Sequence, residues 1–129
     1  MINDQKVERV YLAKGITDLR KSIDGLAAIV QEGFDLDPFS PSLFVFCNRK
    51  RDKLKILQWE HIGFWLHYRR LEEGRFAWPE KDDTSPMTIS YRQLRWLLDG
   101  KRQMIPISLE GEDHLTLTFQ RMNLSLIVK

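Results

Sequence analysis

The chain has 129 residues, 43% of them hydrophobic and 29% charged, with a net charge of only +2. That is the balance of one soluble domain long enough to bury a real core. Its one cysteine, Cys47, excludes an intrachain disulfide framework, and no apolar run is suited to export or to crossing a membrane, so a reducing cytoplasm is the expected setting.

Residues 7–13 (VERVYLA) alternate loosely and predict a first strand, turned by Lys14 and Gly15. Thr17 suits a helix N-cap, and Asp18 behind it suits the positive end of the helix dipole. Leu19, Ile23, Leu26, Ala27 and Val30 then recur at helical spacing up to Gly33, a C-terminal stop. One long helix with that stripe on a sheet is expected. Its polar face carries Arg20, Lys21 and Asp24, residues that more often meet water than a phosphate or a protein. Gly25 inside it costs about 1 kcal/mol relative to Ala, and close approach to a strand is the expected reason. Residues 35–42 (DLDPFSPS) read as an ordered loop.

From 43 to 78 the period changes. Runs rich in Phe, Val, Ile, Trp and Tyr are broken by turn clusters at 48–52, 61–63 and 72–74, which predicts a meander of four antiparallel strands. With residues 60–63 as the second turn, Trp59 falls opposite Trp65, Leu57 opposite His67 and Lys55 opposite Arg69. Side chains alternate across a strand, so these six would share a face with Phe44 and Phe46. Val45, Cys47, Leu54, Ile56, Leu66 and Tyr68 would make the opposite, purely apolar face. The small net charge is uneven here: Arg49, Lys50, Arg51, Lys53, Lys55, Arg69, Arg70 and Arg75 stand against Asp52, Glu60, Glu72 and Glu73.

Residues 79–86 (PEKDDTSP) form a second loop. Ser90 followed by Gln93 has the form of a capping box, ahead of Leu94, Leu97 and Leu98 at helical spacing, which predicts a short helix over 91–99. Arg92 and Arg95 lie on its exposed side near Trp96, but no helix precedes it across a short turn, so a helix-turn-helix reader is not supported. Residues 104–129 alternate again around a turn at 110–113 and predict a β-hairpin. Its apolar end, NLSLIVK, needs cover from the domain's own sheet or from a second copy in a homodimer. The expected architecture is therefore α+β. An antiparallel meander packs on one long helix within residues 1–100, a second short helix follows, and 101–129 is a C-terminal extension packed on the same domain or on a partner subunit.

His61, His67 and His114 lack zinc-ligand spacing, and there is no GxGxxG, Walker loop or GxSxG elbow. Neither a metal nor a cofactor is expected, and no catalytic residue is assigned. Cys47 reads as a small buried hydrophobe. What remains is the basic turn NRKRD at 48–52 beside a face of rings and cations. Cations neutralise phosphates and flat rings stack on bases. The competing reading places Phe44, Phe46, Trp59 and Trp65 in ordinary core.

Three segments carry a family likeness: TDLRKSIDGLAAIV at 17–30, DPFSPSLFVFCNRKRDKLKILQWE at 37–60 and GFWLHYRRLEEGRFAWP at 63–79. With SYRQLRWLLDG, they resemble the small accessory proteins, often called TnpB, of the bacterial insertion sequence 66 family, which are distinct from the RNA-guided nucleases of the same name. The resemblance spans roughly residues 7–100. It falls on Asp18, Arg20, Lys21, Asp24, Gly25 and Leu26, on Arg49, Arg51, Asp52, Lys55, Leu57 and Trp59, and on Gly63, Arg70, Leu71, Glu73, Gly74 and Phe76. The tail after Gly100 departs from it. The resemblance implies a role in DNA transposition beside a separate transposase that holds the catalytic acids, and it brings no catalytic position with it.

Two functions follow as expectations. In the first, a non-catalytic accessory protein binds transposon DNA, the transposase or both, with Arg49, Lys50, Arg51, Lys53, Lys55, Arg69 and Arg70 on phosphates, Trp59 and Trp65 as the aromatic face, and Arg20 and Lys21 on the helix. In the second, a pure protein-interaction subunit never touches DNA. A third class, a nuclease, would need Asp18, Asp24, Glu60 and Glu73 to converge.

Overall fold

The computed structural model describes residues 7–99, among which five strands form one mixed sheet with helical structure on both faces. In chain order the elements are β1 (Arg9–Leu12), α1 (Ile23–Ala28), β2 (Ser42–Cys47), β3 (Lys53–Glu60), β4 (Gly63–Arg70), β5 (Met87–Ile89) and α2 (Tyr91–Leu98). Across the sheet the order is β4-β3-β2-β1-β5. β2, β3 and β4 form the expected antiparallel meander. β1 pairs with β2 in parallel, with Tyr11 beside Phe44, and β5 closes the other edge antiparallel to β1. A parallel pair needs a long crossover, and the segment containing α1 supplies it.

All six residues of β2 are buried, because the sheet separates two cores. On one side Leu26 and Val30 from the helical segment meet Phe44, Phe46 and Leu57. On the other, Leu94 and Leu97 of α2 join Val10, Leu12, Val45, Cys47, Leu54 and Ile56. Phe44, Phe46, Lys55 and Leu57 do share the α1-side face, as expected from the alternation, but Phe44, Phe46 and Leu57 are buried beneath the helical segment, the core placement that was the competing reading.

The long helix is not present as one α-helix. α1 has six residues, and Ile29–Gly33 continues as a π-helical turn. Helix does not start at Thr17, because the Thr17 amide donates to the Cys47 carbonyl and Asp18 folds back to accept from the Arg20 amide at 3.0 Å. The Leu19 and Lys21 carbonyls then accept from the Lys55 ammonium, at 2.6 and 3.1 Å. Gly33 does end the helical segment. The reason for Gly25 is also different from the one expected: a Cβ there would lie 3.1 Å from the Lys21 Cβ, a neighbour on the same segment and not a strand.

The fourth meander strand is absent. Phe76, Ala77 and Trp78 instead run through the core on the α2 side. The Phe76 amide donates to Arg51 O, and Trp78 Nε1 donates to Ala13 O at 3.0 Å. Crossing the core buries both rings while the Phe76 backbone amide and the Trp78 indole N–H each keep an acceptor. α2 starts at the expected capping box, Gln93 N on Ser90 Oγ at 3.0 Å and Ser90 N on Gln93 Oε1 at 2.8 Å. The hairpin expected at 104–129 lies outside the described residues.

Candidate nucleic-acid interface

The turn between β2 and β3 is built to hold its tip still. Asn48 Oδ1 accepts from the amides of Asp52 and Lys53, both at 3.1 Å, and Asn48 Nδ2 donates to Asp52 at 2.8 Å. That Asn48 bond, ahead of the cost of burial and the nearby Lys53 charge, lowers the Asp52 pKa from its usual value. Arg51 takes a positive φ of 61° to close the loop. Arg49 and Lys50 are left exposed at the tip, with no ion pair to any described residue.

Beside this tip runs an open groove of about 900 Å³. It is lined by residues 16–20, by Asn48, Arg49 and Lys50 of the turn, and by Lys53, Lys55 and Tyr68 of the β3–β4 pair. Two segments far apart in sequence therefore put Arg20 with Arg49, Lys50, Lys53 and Lys55. The one acid lining it, Asp18, is turned onto Arg20 by a two-pronged contact, Nη2 to Oδ2 at 2.7 Å and Nε to Oδ1 at 3.0 Å. The Arg20 hydrogen bonds hold the Asp18 carboxyl well below its usual range.

The other expected site residues are engaged within the fold or lie outside the groove. Lys55 is tied to backbone carbonyls, as above. Arg51 leans toward Glu80, 3.5 Å away, and Lys21 lies outside the groove, exposed on the segment before α1. Arg70 is held by Glu72 at 2.8 Å, and Arg69 Nε donates to the Leu98 carbonyl, capping the C-terminus of α2.

The register of β4 corrects the shared face. His61 and Ile62 make a two-residue turn between the paired Glu60 and Gly63, so Trp59 lies opposite Phe64, Gln58 opposite Trp65, Leu57 opposite Leu66, Lys55 opposite Tyr68 and Leu54 opposite Arg69. The slip moves every β4 side chain to the other face. Trp65, His67 and Arg69 go to the α2 side, and Leu66 and Tyr68 go to the α1 side. Trp59 and Trp65 therefore sit on opposite faces. Trp59 packs edge-on against Phe39 and Phe64, with centroids 4.9 Å away in both cases. Trp65 is 56% exposed and donates from Nε1 to Glu60 at 3.0 Å. Sequence reasoning missed Tyr68, which it had assigned to the core. The residue is 54% exposed and lines the groove.

A second groove of about 510 Å³ lies on the α2 side, with His67, Arg69, Tyr91 and Arg95 along it. His67 Nε2 is 2.8 Å from Gln58 Oε1, and burial lowers its pKa. Among the described residues no three His, Cys, Asp or Glu side chains gather into a metal-binding group, so the four acids of the nuclease reading do not converge. Cys47 is buried, and burial pushes its thiol up to about 12, which leaves it inert as a nucleophile at neutral pH. No described helix is long and apolar enough to cross a membrane.

The model of the family described as IS66 Orf2 like protein matches residues 8–105. The chain belongs to that family. The IS66 Orf2-like chain is 40% identical over 92 residues to uncharacterized protein y4hO of Sinorhizobium fredii, covering 71% of this chain and 79% of that one. It is 31% identical over 83 residues to uncharacterized protein y4jC of the same organism, covering 64% and 71%. No solved structure matches. Membership makes it a transposition-associated accessory protein of an insertion sequence. The groove, both helices and the whole sheet fall within the matched span.

Proposed function

We propose that this IS66 Orf2-like protein is a non-catalytic, DNA-binding accessory factor of transposition that holds phosphates at the rim of the groove. The supporting observation is the rigid turn that presents Arg49 and Lys50 to solvent with no described acidic partner, beside Lys53 and Arg20. Arg49 and Lys50 make no ion pair with a described residue, whereas Arg20 is shared with Asp18 and Lys53 lies 3.8 Å from Asp52; open cations neutralise phosphates and release counterions, which makes binding fall steeply with salt. Arg20, Arg51, Lys53, Lys55, Arg69 and Arg70 each have a partner within the fold and contribute less than Arg49 and Lys50. DNA at the element's ends and the element's transposase are the proposed partners.

The test is binding to transposon-end DNA across a salt series, with and without the transposase. Replacing Arg49 and Lys50 together by Ala should weaken binding to every duplex sequence about equally and reduce the salt slope by about 2, since phosphate contacts carry little base information. Folding should be unchanged, because both side chains project from a loop held by Asn48. An unchanged slope would remove the turn from the interface.

A second reading is favoured by one patch. Phe39 is 54% and Ile62 94% exposed at the Trp59 and Phe64 end of the sheet, a surface suited to docking on the transposase. A gel shift that stays negative while the two proteins co-purify would support it over DNA contact.

A further inference from the structure

We infer that the groove takes unpaired DNA, with a base stacked on Tyr68. This rests on the DNA-binding reading above and names the form of DNA that the site prefers. A duplex presents phosphates outward and hides its base faces in the stack, so a purely cationic surface suffices for it. This groove is not purely cationic. Its lining includes the exposed Tyr68 and Ile16, the latter 52% exposed, two of the five large hydrophobic residues left open to solvent among the described residues.

The register fixes the ring in place. Tyr68 lies directly across from Lys55 in β4 and β3, and the Lys55 ammonium is fastened to the Leu19 and Lys21 carbonyls. The ring therefore stands on a sheet, not on a loop, with Lys53 beside it and the Arg49 and Lys50 tip above the same groove. An exposed aromatic ring in the same groove as the open cations Arg49 and Lys50 matches an unpaired nucleotide, which carries an accessible ring and a phosphate together. Base stacking on aromatic side chains tolerates any sequence, so no base preference is required of the site.

The experiment compares one oligonucleotide of mixed sequence in three forms: single-stranded, annealed to its complement, and single-stranded with abasic sites. Each is titrated against the full chain and against Tyr68→Leu and Tyr68→Phe, with thermal unfolding measured to confirm that all three proteins fold. The wild type should prefer the intact single strand. Tyr68→Leu should weaken that complex about 5- to 150-fold, the range of one stacked base, while leaving duplex and abasic strand unchanged. Tyr68→Phe should retain the wild-type pattern. Equal losses on all three DNAs, or no loss on any, would overturn the stacking assignment. Duplex binding that depends on Arg49 and Lys50 without any single-strand preference overturns this inference alone. Absence of binding to all three DNAs overturns the DNA reading with it.

Discussion

Lys14 shows how a residue that reads as a turn becomes structural. Its side chain is only 2% exposed, and its ammonium sits between the Asp82 and Asp83 carboxylates of the 79–86 loop. Burial works to lower its pKa, but the two carboxylates outweigh burial and leave it raised. Hydrogen bonds from Lys14 and then Ser85 bring Asp83 down to about 2. Asp83 therefore contributes stability that is complete above its unfolded value near ~4 and is lost as pH falls through about 2. Lys14 contributes stability that is complete below its ordinary value and lost as pH rises through the raised one. Urea unfolding across pH should show Lys14→Met with a shallower acid limb between about 4 and 2 than the wild type. Lys55 belongs to the same class. Replacing it with Met leaves the Leu19 and Lys21 carbonyls without their charged donor, and should cost about 1–3 kcal/mol in the urea midpoint. Arg49→Ala, with no such bond, should leave that midpoint alone. No spacing in sequence separates these two cations, because the difference lies in which carbonyl each one reaches.

Among the elements, α2 was fully legible. Its capping box, apolar spacing and length are all local, and Ser90→Ala should lower stability by about 1 kcal/mol in denaturant unfolding, with Arg69 still holding the far end. The helical stripe before Gly33 was legible as a face but not as a length, since the Lys55 contacts and the Asp18 turn reshape its first third. The β4 register was not legible. A two-residue hairpin usually shows Asn-Gly or a glycine pair, whereas this turn is His61-Ile62, with His61 at a φ of 60°. One residue of slip exchanged Tyr68 and Trp65 between faces, and with them the site. β5 is three residues after a proline, too short to carry a period.

At the scale of the molecule, one sheet serves two cores, so damage on one face should be felt on the other. Phe44→Ala, on the α1 side, should cost about 3–5 kcal/mol. The loss should appear in a single transition, with tryptophan fluorescence, including Trp78 on the α2 side, coinciding with the far-UV circular dichroism. Two separated transitions would show that the layers unfold independently. The net charge of +2 conceals an uneven distribution. Acids are drawn onto Arg20, Lys14 and Arg70, while the tip of the β2–β3 turn keeps its cations open.

The sequence alone determined what is written in neighbouring residues: the α+β class, the β2–β4 meander, the capped helix α2 and the membership carried by the segments at 17–30, 37–60 and 63–79. It also placed the basic turn, because five consecutive polar residues between two apolar runs have few other ways to fold. Only the tertiary structure decided that β1 enters the sheet parallel to β2, that Phe76 to Trp78 fill a core, and that Tyr68 shares a groove with Arg49 and Lys50. Those outcomes depend on register and on contacts between distant segments, where a shift of one residue reverses a face without changing the local pattern that sequence records.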